Sequence, residues 1–177
     1  MRRLYVTLHL LLLCLCAHSQ HLSFSGIDID GNVNTFIQKL NKIGFKENGL
    51  TKYLIPTSEP GKIGNIIGTL LGEEVWVDVR YNPKNLLVTE VDVWTTFETE
   101  KEVLRYINKV NNYIKGCYFH AVSNPTTDSR GNYFDFIVCA NRANGRPIPC
   151  GEIIVRYAYY GESYNVSIEF VDENYDK

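Results

Sequence analysis

Glu74-Val75-Trp76-Val77-Asp78-Val79-Arg80-Tyr81 sets Val75, Val77, Val79 and Tyr81 against Trp76, Asp78 and Arg80. Successive side chains of a strand point to opposite faces, so this alternation is that of a strand with one face on a core and the other open. Asn82-Pro83-Lys84-Asn85 follows with turn chemistry, and Leu86–Phe97 resumes the pattern. Two adjacent antiparallel strands are therefore predicted.

Upstream of this pair, Val33, Phe36, Ile37, Leu40 and Ile43 recur at spacings of three and four, an apolar stripe at the helical period. Asn32 is placed to cap that helix and Gly44 to end it in the left-handed conformation. Leu22 and Phe24 open an extended segment ahead of it. Lys52–Pro56 and Ile63–Leu71 are further strand candidates. Downstream, Thr99-x-x-Glu102 is a capping box, followed by the stripe Val103, Leu104, Ile107, Val110 and Ile114 and by Gly116 as terminator. Strands are then expected at Tyr118–Val122, Tyr133–Cys139, Gly151–Tyr160 and Ser163–Val171, with Gly161-Glu162 as a hairpin turn.

The expected fold is α+β, with two helices packed on an antiparallel sheet in the order helix–four strands–helix–four strands. Glu74–Tyr81 also echoes Glu152–Tyr157, and Val88–Val93 echoes Val166–Phe170. A tandem pseudo-repeat with halves 20–97 and 98–177 is one explanation; the ease with which amphipathic strands match is the other.

The first nineteen residues have the make-up of a secretory signal peptide. Arg2 and Arg3 precede the apolar run Leu4–Cys16, and Ala17-His18-Ser19 offers small residues for a cut before Gln20. The run is shorter than a membrane span and is interrupted by His9. Leucines precede Cys14 and Cys16, which argues against acylation there. The expected product is periplasmic or secreted, without a membrane anchor, and residues 20–177 form a single domain. Two arginines and no acids leave with the leader, so the net charge moves from −2 to −4. Without a Lys/Arg cluster, nucleic acid is a poor partner.

Cys117, Cys139 and Cys150 remain after cleavage. Cys139 and Cys150 flank the turn-rich segment 141–149 and form the preferred disulfide candidate, with Cys117–Cys139 as rival and three buried thiols as the plain alternative.

Phe24-Ser25-Gly26-Ile27-Asp28-Ile29-Asp30-Gly31, leading into a helix that ends Lys42-Ile43-Gly44-Phe45, resembles the opening of small secreted Bacteroidetes proteins of uncharacterised function. The resemblance covers the start of the mature chain, thins beyond residue 115, and implies an origin and an architecture but no site.

Catalytic and metal motifs are lacking. Asp28-x-Asp30-Gly31 fails the calcium-loop frame, which would place Gly26 and Ile37 where acids are needed. Cys117 and His120, three apart on an expected strand, point to opposite faces. G-x-S-x-G, H-E-x-x-H and phosphate-binding loops do not occur. No cofactor or metal is expected. The compositional excess is aromatic, with 12 tyrosines and 2 tryptophans. Trp76, Trp94 and Tyr160 fall on the outer face of the predicted sheet and are the candidate binding residues for a protein or glycan partner, alongside the 140–149 loop. Core filling and strand propensity are the competing explanation. The expectation is a non-enzymatic binding module. An envelope hydrolase using paired carboxylates, or a carrier of a small apolar ligand, are the alternatives.

Overall fold

The computed structural model describes residues 22–29, 31–47, 60–118, 120–128, 131–141 and 147–172, with the backbone alone at 120–128, 131, 133–141 and 147–149. The predicted leader and the strand predicted at Lys52–Pro56 lie outside the described residues.

The predicted layout is overturned. Among the described residues the fold is sheet-rich, with ten strands against two helices, and a pair of short strands precedes the first of those helices. Strands β1 (Ser23–Phe24) and β2 (Ile27–Asp28) form a two-stranded sheet of their own ahead of the first helix. Ser25 and Gly26 take φ of 50° and 77°, the pair of positive values that a tight hairpin turn requires. Two-residue strands are too short to show a period, so the sequence reads as one extended segment. Ser25-Gly26 is the signal that marks the turn.

Helix α1 (Val33–Lys42) starts where Asn32 Oδ1 accepts from the Asn34 amide at 2.9 Å. It buries Val33, Phe36 and Leu40. Its end is a Schellman motif, with Phe45 N–H donating to Leu40 O and Gly44 N–H to Asn41 O, and Gly44 at φ 100°. Ile43, predicted in the stripe, lies past the last helical residue and is exposed. The chain then turns into β3 (Lys46–Glu47), a two-residue edge strand too short to announce itself in the sequence.

Strands β4 (Lys62–Leu70), β5 (Glu73–Tyr81) and β6 (Val88–Phe97) follow as a meander. Helix α2 (Glu100–Cys117) opens with the predicted capping box, and its Val103, Ile107, Val110 and Ile114 are buried. Leu104 is exposed and Tyr106 takes its place in the core. At 3.6 residues per turn, Tyr106 stands nearer the centre of the stripe than Leu104 does. The helix runs through Gly116 to Cys117, and Tyr118, extended, caps it. Strands β7 (His120–Asp128), β8 (Gly131–Asn141), β9 (Pro147–Tyr160) and β10 (Ser163–Asp172) complete the chain.

Eight strands form one antiparallel sheet in the order β3-β4-β5-β6-β10-β9-β8-β7. The strands that echo each other in sequence, β5 with β9 and β6 with β10, stand symmetrically about the β6–β10 junction. One sheet face, with Val75, Val77, Val79, Val91, Val93, Ile153, Val155, Val166, Ile168 and Phe170, joins the buried residues of both helices and the hairpin in a single core. Phe24 from the hairpin meets Phe45 at 5.5 Å and Phe170 at 5.3 Å between ring centroids, both edge-on. Gly68 is required beneath Phe45, because a Cβ there would run into the ring. Tyr118 ties the hairpin to the end of α2: its hydroxyl donates to Ser23 O at 2.9 Å and accepts from Ser23 N–H at 3.1 Å.

Of the expected Cys139–Cys150 pair, Cys150 is buried, and the ladder sets Cys139 opposite Pro149, with a register shift between Val138 and Cys139. The Cys139 side chain lies outside the described residues. Cys117 is an exposed thiol at the end of α2. Among the described residues no helix is long and apolar enough to cross a membrane.

Candidate functional site

The alternation that buries Val75, Val77 and Val79 sends Glu74, Trp76, Asp78 and Arg80 to the opposite face of β5. Glu90, Asp92, Trp94 and Thr96 do the same on β6, and Asn165, Ser167 and Glu169 on β10. Register assembles these into rows across the sheet. Ile67, Trp76, Trp94, Ser167 and Arg156 form one row. Asp78, Asp92 and Glu169 form the next.

Trp76 and Trp94, two of the residues singled out from sequence, are thus direct cross-strand partners. Their rings stack with centroids 4.7 Å apart and planes 15° from parallel. Trp94 is 41% exposed, and Trp76 is half-buried between it and β4. On the side of Trp94 away from Trp76 the row continues with Ser167 and then Arg156.

Tyr160 is on the same sheet face and is 59% exposed, but it stands apart. It lies two strands over and four residues along from Trp94, a Cα separation of roughly 17 Å at ordinary strand spacings. Its neighbour Tyr159 turns to the core side and packs on Tyr164 at 4.9 Å between centroids. Of the 140–149 loop, residues 140–141 belong to β8 and 147–149 to β9, while 142–146 lie outside the described residues.

The carboxylate row is what the sequence reading missed. Like charges directly opposite on neighbouring strands repel, and this row persists because cations are interleaved with it. Lys62 Nζ lies 2.8 Å from Asp78, Arg80 Nε 3.1 Å from Asp92 and 3.4 Å from Glu90, and Arg156 pairs with Glu169. Glu90 bears the imbalance. Burial above all, then the hydrogen bond and charge of Asp92, push its carboxyl up to about 7, against the lowering effect of Arg80. Same-parity acids at 78, 90 and 92 were legible in sequence; their meeting depended on register, which is a three-dimensional fact.

A shallow open depression of about 370 Å³ adjoins Trp76, lined by Gly44, Lys46, Glu47, Ile67, Gly68, Thr69 and Glu74. It is neither the enclosed apolar cavity a carrier needs nor a pocket around Glu90 and Asp92. Among the described residues no three His, Cys, Asp or Glu side chains come together to hold a metal. Compared with known proteins, the chain matches no protein family, no curated protein and no solved structure.

Proposed function

We propose that the chain is exported and acts as a non-enzymatic binding module, gripping its partner with the sheet face around Trp76 and Trp94. The observation that carries this reading is the stacked pair itself. A folded chain gains most from tryptophan by burying it, yet here a large ring stays 41% exposed on an open sheet face, stacked on its partner. Rigid aromatic anchors of this kind dominate protein interfaces because they lose little conformational entropy on binding. Export rests on the leader-like residues 1–19.

The test is affinity capture from the extracellular and envelope fractions of the producing cell, with wild type, Trp94→Ala and Tyr160→Ala side by side. A partner retained by wild type and by Tyr160→Ala, and lost from Trp94→Ala, is the expected result. Equal retention by Trp94→Ala would remove the sheet face from the reading.

A second reading, acid–base hydrolysis by Glu90 and Asp92, has the raised Glu90 carboxyl in its favour.

A further inference from the structure

We infer that the binding face carries a proton switch, in which Glu90 and Asp92 share one proton beside Arg80 and the loss of that proton loosens the hold on the partner; the inference rests on the binding reading above. Trp94, Asp92 and Glu90 follow one another along the outer face of β6. Alternate residues of a strand lie about 6.6 Å apart, which puts Glu90 roughly 13 Å from Trp94. A specific interface covers about 800 Å² on each partner, a disc of about 16 Å radius, so a partner centred on Trp94 also covers Glu90.

The groups around Glu90 balance only while it keeps a proton. Lys62 of β4 holds Asp78 of β5, Arg156 of β9 holds Glu169 of β10, and Arg80 of β5 stands between Asp92 at 3.1 Å and Glu90 at 3.4 Å. Glu152 of β9 lies beyond Val171 in the row that Glu90 occupies. Glu90 and Asp92 hydrogen-bond each other, which two carboxyl groups do only while one of them is protonated. Burial, and after it Asp92, holds the Glu90 carboxyl up to about 7, with Glu169 acting in the same direction and Arg80 against it. Below that value Glu90 adds no charge to the paired acids and cations. Above it the acid pair loses its hydrogen bond, and both carboxylates draw on one guanidinium. A covering partner then shuts an unbalanced charge away from water, which is costly. Binding is thereby coupled to the uptake of a proton.

Both tryptophans of the chain lie on this face, so their emission reports on it without labelling. Emission of the purified protein should change through one transition with its midpoint near 7, absent from Glu90→Gln and moved to lower pH in Asp92→Asn. Capture from the extracellular and envelope fractions is then repeated at about pH 6 and about pH 8. With about one Glu90 in eleven still protonated at the higher pH, wild type should hold its partner about tenfold more weakly there, and Glu90→Gln should hold it equally at both. Capture by wild type that is indifferent to pH, or that weakens to the same extent in Glu90→Gln, would overturn the switch and leave the binding reading standing. Emission that is flat through the neutral range would also overturn the switch. Capture of nothing by wild type at either pH would overturn both readings.

Discussion

Replacing Glu90 by glutamine should stabilise the protein at alkaline pH and leave it nearly unchanged near pH 4.5. Unfolded, this carboxyl ionises near 4.5; folded, burial and Asp92 hold it up to about 7. Between those values the unfolded chain binds fewer protons than the folded one, so stability falls as pH rises, and the loss is complete above the folded value. At about 1.36 kcal/mol per pH unit the gap amounts to about 3.4 kcal/mol. The side chain keeps 28% of its surface in water, and solvent screening reduces the effect to about 1–2 kcal/mol. The opposing term is the Arg80–Glu90 ion pair at 3.4 Å, and a pair whose Arg80 side chain is 39% exposed contributes at most about 1 kcal/mol. Burial therefore outweighs pairing. The assay is urea unfolding of wild type and Glu90→Gln near pH 4.5 and near pH 8, with equal slopes required so that midpoints report stability. The expected variant is about 1–2 kcal/mol more stable than wild type at the higher pH and indistinguishable at the lower. A variant less stable than wild type at the higher pH would show that the ion pair governs this site and refute the reasoning.

Three further substitutions test the scaffold beneath the site. Tyr106 is buried and its hydroxyl has no partner among the described residues, so Tyr106→Phe should cost less than about 0.5 kcal/mol or stabilise the fold, as thermal unfolding would show. Gly68→Ala pushes a methyl group into the Phe45 ring and should cost about 1–3 kcal/mol in chemical unfolding, with much of the loss recovered in Gly68→Ala/Phe45→Leu. Tyr118→Phe removes both hydrogen bonds to the Ser23 backbone and should cost about 1–3 kcal/mol, with faster amide exchange at Ser23 than at Val93.

The parts of the fold legible in the sequence are those whose periods run long enough to be read. Val75 to Tyr81 and Val103 to Ile114 each repeat one pattern over at least three turns of alternation or of helix, and Thr99 with Glu102 is a local signal complete in itself. The hairpin β1–β2 and the edge strand β3 carry two residues per strand, below any period, and they overturned the expected layout. The exposed Leu104 and buried Tyr106 show a second limit: a stripe's composition fixes its centre less well than its geometry does. The site divides in the same way. Alternation alone puts Trp76 and Trp94 on the outer face, but their stacking and the Asp78–Asp92–Glu169 row depend on which strand lies beside which. The β6–β10 pairing that brings Ser167 and Glu169 alongside joins segments far apart in the chain, and no local pattern encodes it.

The central claim, that the open sheet face is where this protein meets its partner, is tested most directly by site-specific photocrosslinking. Thr96 is exposed on the face next to Trp94, and Asn108 is exposed on α2, away from it. With a benzophenone amino acid placed at one or other position and the protein returned to the exterior of its producing cell, the sheet-face account expects one discrete adduct from position 96 and none from position 108. An adduct from position 108 with none from position 96 would contradict it.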